Sequence, residues 1–238
     1  MTPLLASTGP SVYWYLTRST GAVALILLTL AIALGVADVQ RWSTPRWPRF
    51  IVDSVHRNVS LLAMVFLVLH ILTSVLDSFA PIALTEAVIP FIGTYRPFWL
   101  GLGAASFDLL LAVTITSLMR QRMGFATWRA VHWLTYASWP IALLHGLGTG
   151  SDVKATWLLA LSIACTGVVL AAVLTRVLSG WPANLGPRGA ALGGAGAFSL
   201  FLLLWLPQGP LGSEWARRSG TPTNLLGHSR ASTQGSGR

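Results

Sequence analysis

Six times along the chain the polar residues drop out for about twenty positions, and each time a segment rich in proline, glycine or arginine brings them back. Runs of that length are too uniformly apolar to be one stripe of a soluble helix. At 1.5 Å rise per residue they match a hydrocarbon layer of about 30 Å. The pattern predicts spans over about 19–39, 56–79, 98–118, 128–147, 156–178 and 189–206. The fold class that follows is all-α: a polytopic membrane helix bundle of about six transmembrane helices. The first span is longer than a signal-peptide core and has no basic region well ahead of it, so it reads as uncleaved. Residues 1–17 read as a short interfacial segment, with Tyr13, Trp14 and Tyr15 as an aromatic belt. Residues 18–207 form the transmembrane domain. Residues 208–238 read as a polar tail, disordered from Ser219 onward where Ser, Thr, Gly and Arg dominate. The stretch 80–97 reads as a short segment folded back on the surface.

Composition agrees with this pattern. The chain of 238 residues is 53% hydrophobic and only 10% charged, against roughly a quarter charged in a soluble domain. A formal charge of +9 would point a soluble protein toward nucleic acid. Here no basic patch sits among aromatics on a soluble domain, so nucleic acid is not an expected partner. The charge instead belongs to loops that orient helices and touch anionic membrane lipid. Cys165 is the only cysteine, which excludes an internal disulfide, a Cys-x-x-Cys-His haem attachment and a four-cysteine cluster. Lys154 is the only lysine among sixteen basic residues; with abundant Ala, Gly and Leu this points to a GC-rich bacterial genome and to a bacterial cell membrane.

The basic residues also set a direction. Arg41, Arg46, Arg49, Arg57, Arg120, Arg122, Arg129, Arg176 and Arg188 follow spans one, three and five, whereas the other short loops hold only Arg18, Arg96 and Lys154. By the positive-inside rule the first group faces the cytoplasm and both termini lie outside.

Against this apolar background four of the five histidines occupy two spans: His56 and His70 in the second, His132 and His145 in the fourth. Ionisable residues inside a membrane are costly and mark function. Both spans run the same way, so His56 and His132 start their helices near the inner face. His70 and His145 lie about 20 Å further along. The pairs therefore meet by level. No single metal ion bridges that gap, because metal–nitrogen bonds are near 2 Å. Two imidazoles facing across a gap are a poor zinc site but suit the axial positions of a b-type haem held without covalent attachment. Two haems are implied. One difficulty is visible in advance. A spacing of fourteen leaves His56 and His70 about 40° apart on their helix, but a spacing of thirteen leaves His132 and His145 about 140° apart. A kink at Pro140 is expected to reconcile them. Arg57 and Arg129 adjoin the inner level and are candidates to hold haem propionates; Arg18, Thr149 and Ser151 stand near the outer one. Asp77 and Asp152 are expected to cap helices or pair with arginine, Asp108 is a candidate proton relay, and His228 sits in the tail.

Two histidine pairs at these spacings, with Trp128, Arg129 and Tyr136 around His132 and the sequence HGLGTGSD closing the run, resemble the ferric reductase-like transmembrane domain over about residues 50–180. That family includes NADPH oxidases, ferric reductases and the haem-binding subunit of bacterial methionine-sulfoxide reductase. The resemblance implies two b haems and electron transfer across the bilayer, to an extracytoplasmic acceptor. Members that collect their own electrons end in a flavin–nicotinamide domain. No Gly-x-Gly-x-x-Gly opens a helix after a strand here, and no motif binds flavin. The expected role is the haem-binding membrane component of an oxidoreductase, with a separate flavoprotein or membrane quinol as donor. Two other readings stay open: an accessory haem-bearing subunit of a larger respiratory complex, and a non-redox transporter handling metal ions or protons.

Overall fold

The computed structural model describes residues 11–44, 48–150, 152–179 and 185–226. Arg46, Ser151, His228 and the rest of the tail beyond residue 226 lie outside the described residues, as do residues 1–10. The chain is a helical bundle with no strand among the described residues. Its helices are α1 (Val12–Val39), α2 (Arg49–Leu76), α3 (Leu84–Val88), α4 (Pro97–Leu118), α5 (Phe125–His132), α6 (Thr135–Thr149), α7 (Thr156–Leu178), α8 (Leu185–Gln208), α9 (Trp215–Arg218) and α10 (Thr223–Leu226). Five of them, α1, α2, α4, α7 and most of α8, are long and apolar enough to cross a membrane. The protein is a multi-pass membrane protein.

Local chemistry sets the ends. Ser11 caps α1, its Oγ accepting from Trp14 N at 3.0 Å. The same hydroxyl donates to Asp77 Oδ1 at 2.8 Å, which ties the start of α1 to the end of α2. Pro48 stands at the cap of α2 and Pro97 at the first position of α4, where a missing N–H costs nothing. Because α2 begins at Arg49, His56 lies two turns inside it. The expected start at His56 took the polar residues Arg49, Asp53 and Ser54 for loop, although a helix can carry such residues beyond the hydrocarbon.

The fourth span differs most from expectation. It is two helices: α5 ends at His132, Trp133 and Leu134 form a turn, and α6 begins at Thr135. Hydrogen bonds of the tighter three-residue kind cross the turn, from Leu134 N to Val131 O, Tyr136 N to Trp133 O and Ala137 N to Leu134 O. Pro140 lies inside α6. Proline removes the bond to the carbonyl four residues back and crowds that carbonyl, so its effect falls on the preceding turn rather than at the proline. In place of the expected kink at Pro140 there is a break at Trp133 and Leu134, about two turns before the proline.

α1 and α2 pack as an antiparallel pair, and α4 packs along α6. Leu28, Ala63, Leu110, Trp139, Leu143 and Cys165 belong to the core between them. Two buried polar bonds set the register: Trp139 Nε1 donates to Thr29 Oγ1 at 2.9 Å, joining α6 to α1, and Ser106 Oγ donates to Ser138 O at 2.9 Å, joining α4 to α6. In a medium without water such bonds have no competing partner. Residues 208–226 do not leave the fold as a polar tail. α9 and α10 fold back, and Arg96, which is 3% exposed, receives them. Arg96 N donates to Gly220 O at 3.1 Å and its Nε to Thr221 Oγ1 at 2.9 Å. Its Nη1 donates to Gly148 O and Thr149 O, both at 3.0 Å, at the end of α6. Trp99 and Trp205 stack beside this clamp, and Trp215 packs against both at steeper angles. Composition hid this docking, because backbone carbonyls of the core do the binding.

Candidate functional site

The four histidines meet in two pairs. The ring centroids of His56 and His132 are 6.3 Å apart with planes at 69°, and those of His70 and His145 are 6.2 Å apart with planes at 83°. His56 and His70 stand on one face of α2. His145 stands near the end of α6 and His132 at the end of α5. The break between α5 and α6 removes the 140° difficulty, because His132 and His145 no longer share one helix axis.

Hydrogen bonds fix which nitrogen is free. His70 Nδ1 lies 2.8 Å from Thr17 O, His56 Nδ1 3.0 Å from Ala31 O, and His145 Nδ1 2.9 Å from Trp99 O. A carbonyl can only accept, so each Nδ1 carries the proton and donates it. Nε2 is then the nitrogen with a lone pair, the tautomer a metal ligand needs. His132 is the exception. Its Nδ1 is buried with no hydrogen-bond partner among the described residues. Its ring stacks on Trp128 at 5.0 Å and 28°, and the Arg120 guanidinium lies 4.5 Å over the other ring of that stack.

The spacing fits a particular kind of ligand. Two metal–nitrogen bonds of about 2 Å, with about 1 Å from each nitrogen to its ring centre, span about 6 Å. One metal ion therefore fits between the rings of each pair. Among the described residues no group of three or more His, Cys, Asp or Glu side chains could hold a metal ion. A metal ion held there would need its remaining ligands from a group that brings them, as a porphyrin does. At the His70/His145 level a cavity of about 280 Å³ lies between α1, α2, α4 and α6, with Gly21, Leu28, Gly103, Phe107 and both imidazoles on its wall.

The polar candidates separate. Arg18 and Thr149 line the cavity, and Arg18 forms an ion pair with Asp152 at 2.5 Å. Asp77 receives Ser11, as described. Asp108 is half-buried within α4. Arg57 and Arg129 are both exposed, and Arg129 lies 5.5 Å over Phe125 of its own helix. The cation brought to the His132 stack is Arg120, which the sequence reading had counted only for topology. Beyond the end of α6, burial pushes the Arg96 guanidinium down from its ordinary value and Tyr95 opposes the shift; arginine stays charged regardless.

The residues that seat the rings were missed, yet the sequence carries a signal for them. Gly21 and Gly35 are fourteen apart, as His56 and His70 are. On an antiparallel pair of helices equal spacings face each other, and the structure sets Gly21 against His70 and Gly35 against His56.

Residues 20–143 match the family described as ferric reductase like transmembrane component. Among curated proteins, the chain is 32% identical over 156 residues to the protein-methionine-sulfoxide reductase heme-binding subunit MsrQ of Deinococcus radiodurans, covering 64% of this chain and 71% of that one. It is 29% identical over 135 residues to the subunit of the same name from Ralstonia nicotianae, covering 55% of this chain and 57% of that one. No solved structure matches the chain.

Proposed function

The chain belongs to the family of ferric reductase like transmembrane components, and on that premise we propose that it is the haem-bearing membrane part of an electron-transfer system. Two b-type haems are held, one between His56 and His132 and one between His70 and His145. The observation that carries this reading is the recurrence, at two levels of one bundle, of an imidazole pair about 6 Å apart. Haem held by these four histidines would supply a one-electron carrier, suited to electron transfer rather than to binding of small ligands.

The chain's own residues do the rest. The carbonyls of Thr17, Ala31 and Trp99 hold three rings as Nδ1–H tautomers and make their Nε2 atoms better donors. The apolar core between the helices keeps water from the path. The levels are about 21 Å apart along α2, fourteen residues at 1.5 Å each. Arg57, Arg129 and Arg120 are proposed to meet the acidic edge of the group at the His56/His132 level, and Arg18 and Thr149 that at the other.

The proposed setting is a bacterial plasma membrane. The basic turns face the cytoplasm and both ends of this chain lie outside. A separate flavoprotein or membrane quinol gives the electron at the His56/His132 level, and an extracytoplasmic acceptor takes it from the His70/His145 level. By likeness to the relatives' names, that acceptor is a partner subunit that reduces protein methionine sulfoxide. The test is a reduced-minus-oxidised spectrum with haem quantitation on the purified chain. Two b-type haems per chain are expected, and a chain purified without haem would overturn the reading.

A further inference from the structure

Three of the four imidazoles are seated by one repeated arrangement. A β-carbon placed at Gly21 would lie 3.0 Å from both Cε1 and Nδ1 of His70, and the carbonyl that accepts from this Nδ1 belongs to Thr17, four residues earlier. At Gly35 the added carbon would lie 3.2 Å from His56 Cε1, and the accepting carbonyl is that of Ala31, again four residues earlier. At Gly103 it would lie 2.5 Å from Cε1 and Nδ1 of His145, and the carbonyl is that of Trp99. The offset is the same three times, on two different helices.

Helix geometry gives the reason. The carbonyl of residue i−4 already accepts from the N–H of residue i, and one lone pair is left. A second donor reaches that lone pair only by passing beside the β-position of residue i. This chain shows that the place is reachable from there, because Thr29 Oγ1 donates to Leu25 O and Thr114 Oγ1 to Leu110 O from their own β-carbons. Glycine at position i leaves the place empty for a ring from another helix. We propose that Gly21, Gly35 and Gly103 are positioning residues for the ligand histidines: each opens the approach by which an imidazole donates Nδ1–H to the carbonyl four residues before the glycine and turns Nε2 toward its partner ring.

The fourth ring is the contrast. No described glycine has the His132 ring among its nearest neighbours, and the Nδ1 of His132 is the one without a hydrogen-bond partner among the described residues. Ordinary packing glycines are present too, but they meet other atoms: Gly101 faces Phe91 and Gly148 faces Trp99.

The inference rests on the reading of the imidazole pairs as haem ligands, and its test separates the two. Gly103→Ala, Gly21→Ala and Gly35→Ala are made singly in the full chain. Haem per chain, spin state and midpoint potential are measured, with each haem identified against His70→Ala and His56→Ala. Gly167→Ala, where an added carbon meets nothing within 4 Å, is the control. Gly103→Ala is expected to lose most of the His70/His145 haem or convert it to a high-spin form, and to keep the other. Gly21→Ala follows with a smaller effect at the same level. Gly35→Ala, with the mildest approach, shifts only the His56/His132 haem. Two unchanged low-spin haems in Gly103→Ala would overturn the inference while leaving the ligand reading intact. Equal loss of both haems in Gly103→Ala and Gly35→Ala would also overturn it, because the glycines would then serve packing alone. A wild-type chain without haem would sink the ligand reading itself, and the inference with it.

Discussion

The His70/His145 level and the His56/His132 level use the same pair of side chains at the same separation, but they are built differently. At the first, both rings sit on uninterrupted helix and both donate to a backbone carbonyl, from Thr17 and Trp99. At the second, only His56 does so, and His132 closes a helix of eight residues that a turn separates from α6. One level holds both rings before any group is bound. The other holds one ring and leaves its partner to a stack with Trp128. Preorganised ligands lose less freedom when they bind. Equal chemistry therefore does not mean equal strength: the His70/His145 level is expected to hold its group more tightly and to tolerate less change.

The largest expected effect is also the simplest. His70→Ala takes haem content from two to one and stops transfer to outside acceptors, while the His56/His132 haem keeps its spectrum. Retention of both haems in that variant would undo the assignment of ligands. Arg96→Ala comes next. It removes three side-chain bonds, two of them to the end of α6 just beyond His145, and is expected to cost about 3 kcal/mol. Thermal loss of haem absorbance should then begin at the His70/His145 level, and loss beginning at the other level would break the comparison. Thr29→Val leaves Trp139 Nε1 buried without its acceptor, at a cost of about 2 kcal/mol. Because that bond lies in the shared core, both haems should loosen together. The smallest effect is that of Trp128→Ala. Loss of one aromatic stack is worth about 1 kcal/mol, or about fivefold in retention of the His56/His132 haem. An equal loss at the His70/His145 level would show that His132 is not the weakly held ring.

How much of this the sequence carries depends on the kind of interaction. Apolar length announced the spans, and the cost of a histidine in hydrocarbon singled out the four rings, so the bundle and the pairing by level were legible. The break at Trp133 and Leu134 was not, because it lies about two turns before Pro140, whose missing bond would have ended on Tyr136 inside α6. The docking of α9 and α10 was hidden for a related reason: Arg96 reads as a topology charge until the carbonyls of Gly148 and Thr149 are seen at its tip. Gly21 and Gly35 were legible in principle. Their spacing repeats that of His56 and His70, but a glycine in an apolar helix is usually taken for packing.

The clamp at Arg96 also bears on how the protein is made. Helices enter a membrane in the order of synthesis, and His70 and His145 are both in place well before residues 220 and 221 emerge from the ribosome. Until those residues arrive, Arg96 lacks Gly220 and Thr221 as partners, and the end of α6 is held from one side only. The contacts that brace the end of α6 beside His145 therefore include ones the chain can form only late in its synthesis.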